Sequence, residues 1–316
     1  MQSRIISQHN YLSAHLNDWE QEISSIYLRK NARREREHMW LRAVSDASKV
    51  GEAIRKGEYR EAVEYLVHTF AWTLTTINKL SFEQTPEAPA LITSDGRMIS
   101  STWDLLMEKY PGICPYCGYS LNCHCVVNRL QIAQESKRDK RERLRSMRQG
   151  IRSSAEQAGT LPKSLPEIAH VLKEIYGQSH YEVDIDKITF HFLEEVGEVA
   201  WCLTSLKEGT TSEQDTASLA MQLAEEFADT IAWSFAIFAK LAYLSHQTQK
   251  LDSLQKPWQD QDSEANTIDH LNDILLPTWL WYVYEGTEAG CMRCPSCHSR
   301  PCSCGLSLGD LGEAHQ

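Results

Sequence analysis

Residues 190–203, FHFLEEVGEVAWCL, and 224–233, AEEFADTIAW, decide how this chain folds. Around the first, Ile185, Ile188, Phe192, Val196, Val199, Leu203 and Leu206 recur three or four apart, the period of one buried helical face. Around the second, Leu219, Leu223, Phe227, Ile231, Phe235 and Phe238 repeat that stripe. At about 100° per residue, Glu194, Glu195 and Glu198 share an arc beside the first stripe, and Glu226 and Asp229 project together from the second. If the two helices pack antiparallel, the carboxylates converge. Such a cluster raises its own pKa values. A hard dication, Mg²⁺ or Mn²⁺, relieves the repulsion and keeps waters for a substrate phosphate. Any single E-x-x-E or E-x-x-D reads first as solvated carboxylates on an amphipathic helix; two of them on consecutive helices weaken that reading considerably.

FLEEVGEVA at 192–200 and AEEFADTIAW at 224–233 resemble the paired motif helices of the all-α MazG-like nucleoside triphosphate pyrophosphohydrolases, over residues 165–245. The resemblance implies that Glu195, Glu198, Glu226 and Asp229 bind Mg²⁺ or Mn²⁺. It makes Glu194 a further ligand or the group that positions the attacking water. The implied reaction cleaves a nucleoside triphosphate to the monophosphate and pyrophosphate. The family often has Asn or Lys further along the second helix; here that is Lys240, a phosphate contact or a solvated lysine near the helix end.

The ten cysteines fall mainly in two clusters, CPYCGYSLNCHC with Cys114, Cys117, Cys123 and Cys125, and CPSCHSRPCSC with Cys294, Cys297, Cys302 and Cys304. Both read C-P-x-C, a short loop, then C-x-C. In a reducing compartment this spacing points to tetrahedral Zn²⁺ held by four thiolates, a closed structural site. An iron–sulfur cluster or disulfides are the alternatives. Cys291 is an alternate for Cys294, His124 and His298 are weaker substitutes, and Cys202 reads as a small core residue.

Two clusters so far apart suggest a duplication. Thr102-Trp103 and Thr278-Trp279 precede them, HTFAWTLTTINKL at 68–80 resembles DTIAWSFAIFAKL at 229–241, and Lys49-Val50-Gly51-Glu52 parallels Glu195-Val196-Gly197-Glu198. In this register Glu194, Glu195, Glu226 and Asp229 face Ser48, Lys49, Tyr65 and His68, and only Glu52 keeps its carboxylate. The N-terminal half reads as a degenerate copy packed as a pseudo-dimer partner.

The chain thus divides into a degenerate helical domain (1–110), a zinc module (111–126), a basic connecting helix and linker (127–162), a catalytic helical domain (163–286), and a second zinc module with a tail (287–316). Helices are expected over 35–56 and 58–80, broken at Gly57, with loops at 82–98 and 246–266. Residues 126–152 carry nine Lys or Arg against three acids but no interleaved aromatics. They read as a solvated connecting helix rather than a nucleic-acid surface. A net charge of −11 argues against a protein built wholly around nucleic acid. No apolar run of spanning or signal-peptide length is evident, so a cytoplasmic protein without a membrane partner is expected. The expected partners are a nucleotide substrate and, unless the pseudo-dimer suffices, further copies of the chain. Two function classes follow: a Mg²⁺-dependent pyrophosphohydrolase acting from the C-terminal half, or a non-catalytic nucleotide sensor or adaptor using its zinc modules and basic helix. Acids kept in one half and lost in the other favour the enzyme.

Overall fold

The computed structural model describes residues 6–85, 90–123, 125, 137–209, 213–248, 268–284, 292–300 and 302–304. Cys291, His124, residues 126–136 and most of the 246–266 loop fall outside them. Among the described residues the fold is all-α, with no strand beyond two isolated bridges. The elements are α1 (Leu16–Ile26), α2 (Leu28–Asn31), α3 (Arg36–Lys56), α4 (Tyr59–Glu83), α5 (Thr102–Lys109), α6 (Lys137–Ala158), α7 (Leu165–Glu182), α8 (Ile185–Glu208), α9 (Glu213–Thr248) and α10 (Ile268–Tyr284).

Local chemistry sets the boundaries. Gly57, at φ 74°, ends α3 with its N–H on the Ala53 and Ile54 carbonyls and lets the chain reverse into α4, where the sequence places the break. Ser101 caps α5 by accepting from the Asp104 N–H. Glu167 accepts from the Lys163 and Ser164 N–H groups at the start of α7, and Gly159, at φ 69°, follows the end of α6. The loop expected from 246 does not begin there, because α9 continues to Thr248.

Two antiparallel pairs, α3 with α4 and α8 with α9, form the centre, and α3 lies on α8. Ile188, Phe192, Val196, Val199 and Leu203 are buried on α8, and Leu223, Phe227, Ile231, Phe235 and Phe238 on α9, as the stripes predict. Each such side chain contributes about 1.5–3 kcal/mol by leaving water. Trp40 of α3 donates from Nε1 to the Val196 carbonyl at 3.0 Å and meets Phe227 edge-on at 5.1 Å. One hydrophobic cluster runs from Ile6 to Cys302 through both pairs. Residues Asp215–Leu244 of α9 are long and apolar enough to cross a membrane, but 72% of their most apolar window is buried inside the protein.

The outer contacts are reciprocal. Helix α1 lies on α4 and α5, and α7 lies on α9 and α10; α5 reaches across to α9, and α10 reaches across to α4. The Cys123 N–H donates to the Ile175 carbonyl of α7 at 2.7 Å, and the Cys302 N–H donates to the Ile26 carbonyl of α1. His15 and Ser164, at the starts of α1 and α7, pair with one another. Each cysteine cluster is therefore seated on the helix that opens the opposite half.

Candidate functional site

The site is built from α8 and α9 on one side and from α5, α6 and the first cysteine cluster on the other. Glu195, Glu226 and Asp229 present ligand atoms that all lie within 4.8 Å of one another, about the span of oxygens on one hard cation. The antiparallel packing of α8 on α9 brings them together, as the spacing predicts. They line a cleft of about 680 Å³ together with Glu198, which is exposed at its edge. Glu194 is also exposed, but it points elsewhere and bonds His191 Nδ1 at 3.1 Å.

Asp229 is held by three donors from the N-terminal side of the chain. Lys109 Nζ reaches Oδ2 at 2.5 Å, the Tyr110 hydroxyl reaches Oδ1 at 2.5 Å, and the Tyr116 hydroxyl reaches Oδ2 at 3.0 Å. Lys109 also donates to the Glu225 carbonyl at 3.2 Å. Burial first, and then the Asp229 charge, pushes Glu195 up to about 7. Burial and a hydrogen bond to Glu195 push Glu226 up to about 8. At neutral pH and without a cation, these two carboxyls hold on to a proton.

Two further groups could hold a metal ion: Cys114, Cys117, Cys123 and Cys125, and Cys294, Cys297, Cys302 and Cys304. Sulfur separations of 3.4, 3.6 and 3.8 Å in the first and 3.7 and 3.9 Å in the second match the roughly 3.8 Å edge of a tetrahedron with 2.3 Å zinc–sulfur bonds. Both knuckles fold alike. Gly118 and His298, each following the second cysteine at positive φ, donate back to the first cysteine's carbonyl at 2.9 and 2.8 Å. All eight thiols are free, as a metal site requires and a disulfide does not. Cys202 is buried in the core.

Several side chains singled out in the sequence lie elsewhere. Lys240 is buried three turns beyond Asp229, does not line the cleft, and donates to the Tyr181 carbonyl at 2.7 Å near the end of α7. Lys79 on α4, aligned with it in the expected duplication, donates to the Asn31 carbonyl at 3.0 Å. Lys49 pairs with Asp46 at 3.2 Å, and His68 packs against Tyr284 at 6.1 Å. His191 stacks on Trp233 at 5.1 Å outside the cleft, and Trp201 is exposed on the surface.

The groups that sequence reasoning missed are Lys109, Tyr110 and Tyr116, together with Lys140, Arg145 and Arg148 of α6, which also line the cleft. Helix α6 is thus not merely a solvated connector. A readable signal existed in the three-and-four spacing of Arg145, Arg148 and Arg152, which puts them on one face. The chain matches no protein-family model, no curated protein and no solved structure.

Proposed function

We propose that this chain is a divalent-cation-dependent pyrophosphohydrolase that converts a nucleoside triphosphate to the monophosphate and pyrophosphate in the cleft between α6 and the α8–α9 pair. One observation carries the reading: Glu195, Glu226 and Asp229 bring ligand oxygens within 4.8 Å of one another beside one ammonium, Lys109, so that once their shared proton leaves, two negative charges remain to face one Mg²⁺ or Mn²⁺. Glu195, Glu226 and Asp229 would hold the cation, with Glu198, one turn from Glu195, as a fourth carboxylate. When bound, such an ion polarises a phosphoryl oxygen and acidifies a bound water. Lys109, Tyr110 and Tyr116 fix the orientation of Asp229 before any ligand arrives, so no rearrangement is needed there. Glu198, exposed at the edge, has an open carboxylate face to accept a proton from an attacking water.

The cysteine groups are structural Zn²⁺ sites in this reading. The first also serves the cleft, because Tyr116 sits between Cys114 and Cys117 and bonds Asp229. The halves are a duplicated pair packed as a pseudo-dimer. Support comes from the reciprocal bonds of Cys123 to Ile175 and Cys302 to Ile26, from the like-placed Lys79 and Lys240, and from the Ile-Tyr pair to which each accepting carbonyl belongs, Ile26-Tyr27 and Ile175-Tyr176. In the matching N-terminal place, Tyr284 covers His68 where Tyr110 covers Asp229.

The test is to incubate the full chain with Mg²⁺ or Mn²⁺ and the common ribo- and deoxyribonucleoside triphosphates and to read pyrophosphate release. One or more should turn over, and Glu226→Gln should lower turnover by about 10³-fold with an unchanged circular dichroism spectrum. Metal binding without turnover would leave the sensor reading in its place. Metal analysis should find close to two zinc per chain, one for each cysteine group.

A further inference from the structure

Arg145, Arg148 and Arg152 share one face of α6, yet only one of them is satisfied. Arg152 reaches Asp104 Oδ1 at 2.5 Å, Glu108 Oε2 at 2.9 Å and Glu156 Oε1 at 3.0 Å. Arg145 and Arg148 line the acidic cleft instead, and their buried Nε atoms have no acceptor among the described residues. A buried donor left unmade costs about 1–3 kcal/mol, more when it belongs to a charged group. Lys140 adds a third cation to the same wall.

The helix that carries them is held on both sides of this stretch. Leu144 and Met147 pack on Gly118 of the first knuckle so closely that a Cβ there would meet Met147 Sδ at 3.1 Å. One turn beyond Arg148, Arg152 is clamped to α5. The arginines therefore cannot leave the cleft without breaking one of these attachments. Although five carboxylates line the same cleft, none accepts from these two Nε atoms, which leaves both guanidinium groups able to receive an anion from outside.

We infer that Arg145 and Arg148, with Lys140 beside them, bind the β- and γ-phosphates of the substrate, so that the cleft selects a triphosphate over a mono- or diphosphate and holds the departing pyrophosphate. The inference rests on the reading of the acidic trio as the place where the α-phosphate is attacked. A cation held by that trio would take one end of the phosphate chain, and the α6 wall the other.

The experiment is calorimetric titration of the full chain, loaded with Mn²⁺, with inorganic tripolyphosphate, pyrophosphate and phosphate. Tripolyphosphate should bind most tightly. Arg145→Gln with Arg148→Gln should weaken it about 100-fold, roughly tenfold for each charge-assisted hydrogen-bonding group removed, with Mn²⁺ affinity unchanged. Should that variant misfold, Arg145→Lys with Arg148→Lys keeps the charge but not the planar fork, and about tenfold is expected. Arg152→Gln releases one of the two attachments of this wall, so it should lower the melting temperature and weaken tripolyphosphate by only about twofold to fivefold, less than either double variant. Unchanged tripolyphosphate affinity in both double variants overturns the inference, as does preferential binding of a single-stranded oligonucleotide that depends on the same arginines. Arginine-dependent tripolyphosphate binding without nucleotide turnover keeps the anion site and removes the hydrolase reading. Turnover with unchanged KM in the variants does the reverse.

Discussion

Asp229 on α9 and His68 on α4 occupy equivalent positions in the register of the proposed duplication, and the chain treats them in opposite ways. Each is covered by a tyrosine from beyond its own pair of central helices, Tyr110 for Asp229 and Tyr284 for His68. Around Asp229 the neighbours are polar: two more carboxylates, an ammonium and a second tyrosine hydroxyl, at the edge of a large cleft. Around His68 aromatic rings join the charged Asp46, Glu64 and Lys49, for Tyr284 also meets Tyr27 edge-on at 6.4 Å and Tyr27 stacks on Trp72 at 5.2 Å. The scaffold, by this contrast, does not need the acids. At His68 an aromatic ring packs on the side chain; at Asp229 carboxylates and cations share an open cleft.

The largest test of that contrast is a pair of substitutions. Asp229→Asn should reduce nucleotide turnover by about 10³-fold, whereas His68→Gln should leave it within about twofold, both read in the pyrophosphate assay. A smaller difference is expected between the covering tyrosines. Tyr116→Phe removes one hydrogen bond to Asp229 and should lower kcat about tenfold with little change in stability. Tyr284→Phe should instead cost about 1 kcal/mol in denaturant unfolding and spare kcat.

The two places should also differ in the sign of their pH dependence. Glu195 and Glu226 are raised to about 7 and about 8, so the folded apo-protein binds more protons than the unfolded chain from about pH 4.5 upward. Their contribution to apo stability is present at acidic pH and is lost as pH rises toward 8, while metal affinity climbs over the same window because the cation must displace that proton. Burial lowers His68 below its ordinary 6.5, so its contribution rises with pH and is lost on acidification. Melting curves of the apo-protein should show Glu226→Gln removing part of the falling limb and His68→Gln removing part of the rising one. The finest distinction concerns the buried lysines. Lys240→Met and Lys79→Met should each cost about 1 kcal/mol, and Lys240→Met should leave KM unchanged, because both ammonium groups tie down a helix end.

How much of this was legible depends on how far apart in sequence the partners stand. Glu195 with Glu198 and Glu226 with Asp229 are fixed by helical period, and antiparallel packing of consecutive helices is the ordinary outcome of a short connection. The cysteine groups are local as well, each ligand set lying within a dozen residues. Gly57 announced the break between α3 and α4. The donors to Asp229 were invisible because Lys109, Tyr110 and Tyr116 come from α5 and the first knuckle, more than a hundred residues earlier. Their selection depends on α5 docking on α9, which no local pattern encodes. The basic helix was read by its composition, yet its role depends on which face Gly118 and Asp104 hold inward. Lys240 shows the converse. At 1.5 Å of rise per residue it lies about 16 Å beyond Asp229, too far to join the cleft from the same helix.

The exchange of covers between the halves has a consequence for the chain as a covalent object. The connection near Gly159 and Pro162 joins the residues that carry the acids to those that hold Asp229 in place. Proteolysis there leaves a C-terminal fragment with its carboxylates but without Lys109, Tyr110, Tyr116 and all of α6. Such a fragment exposes the surface of α9 that α5 had covered, and its acids lose their nearest ammonium. The two fragments should function only when re-associated, as complementing pieces of one molecule rather than as an active half and a dispensable one.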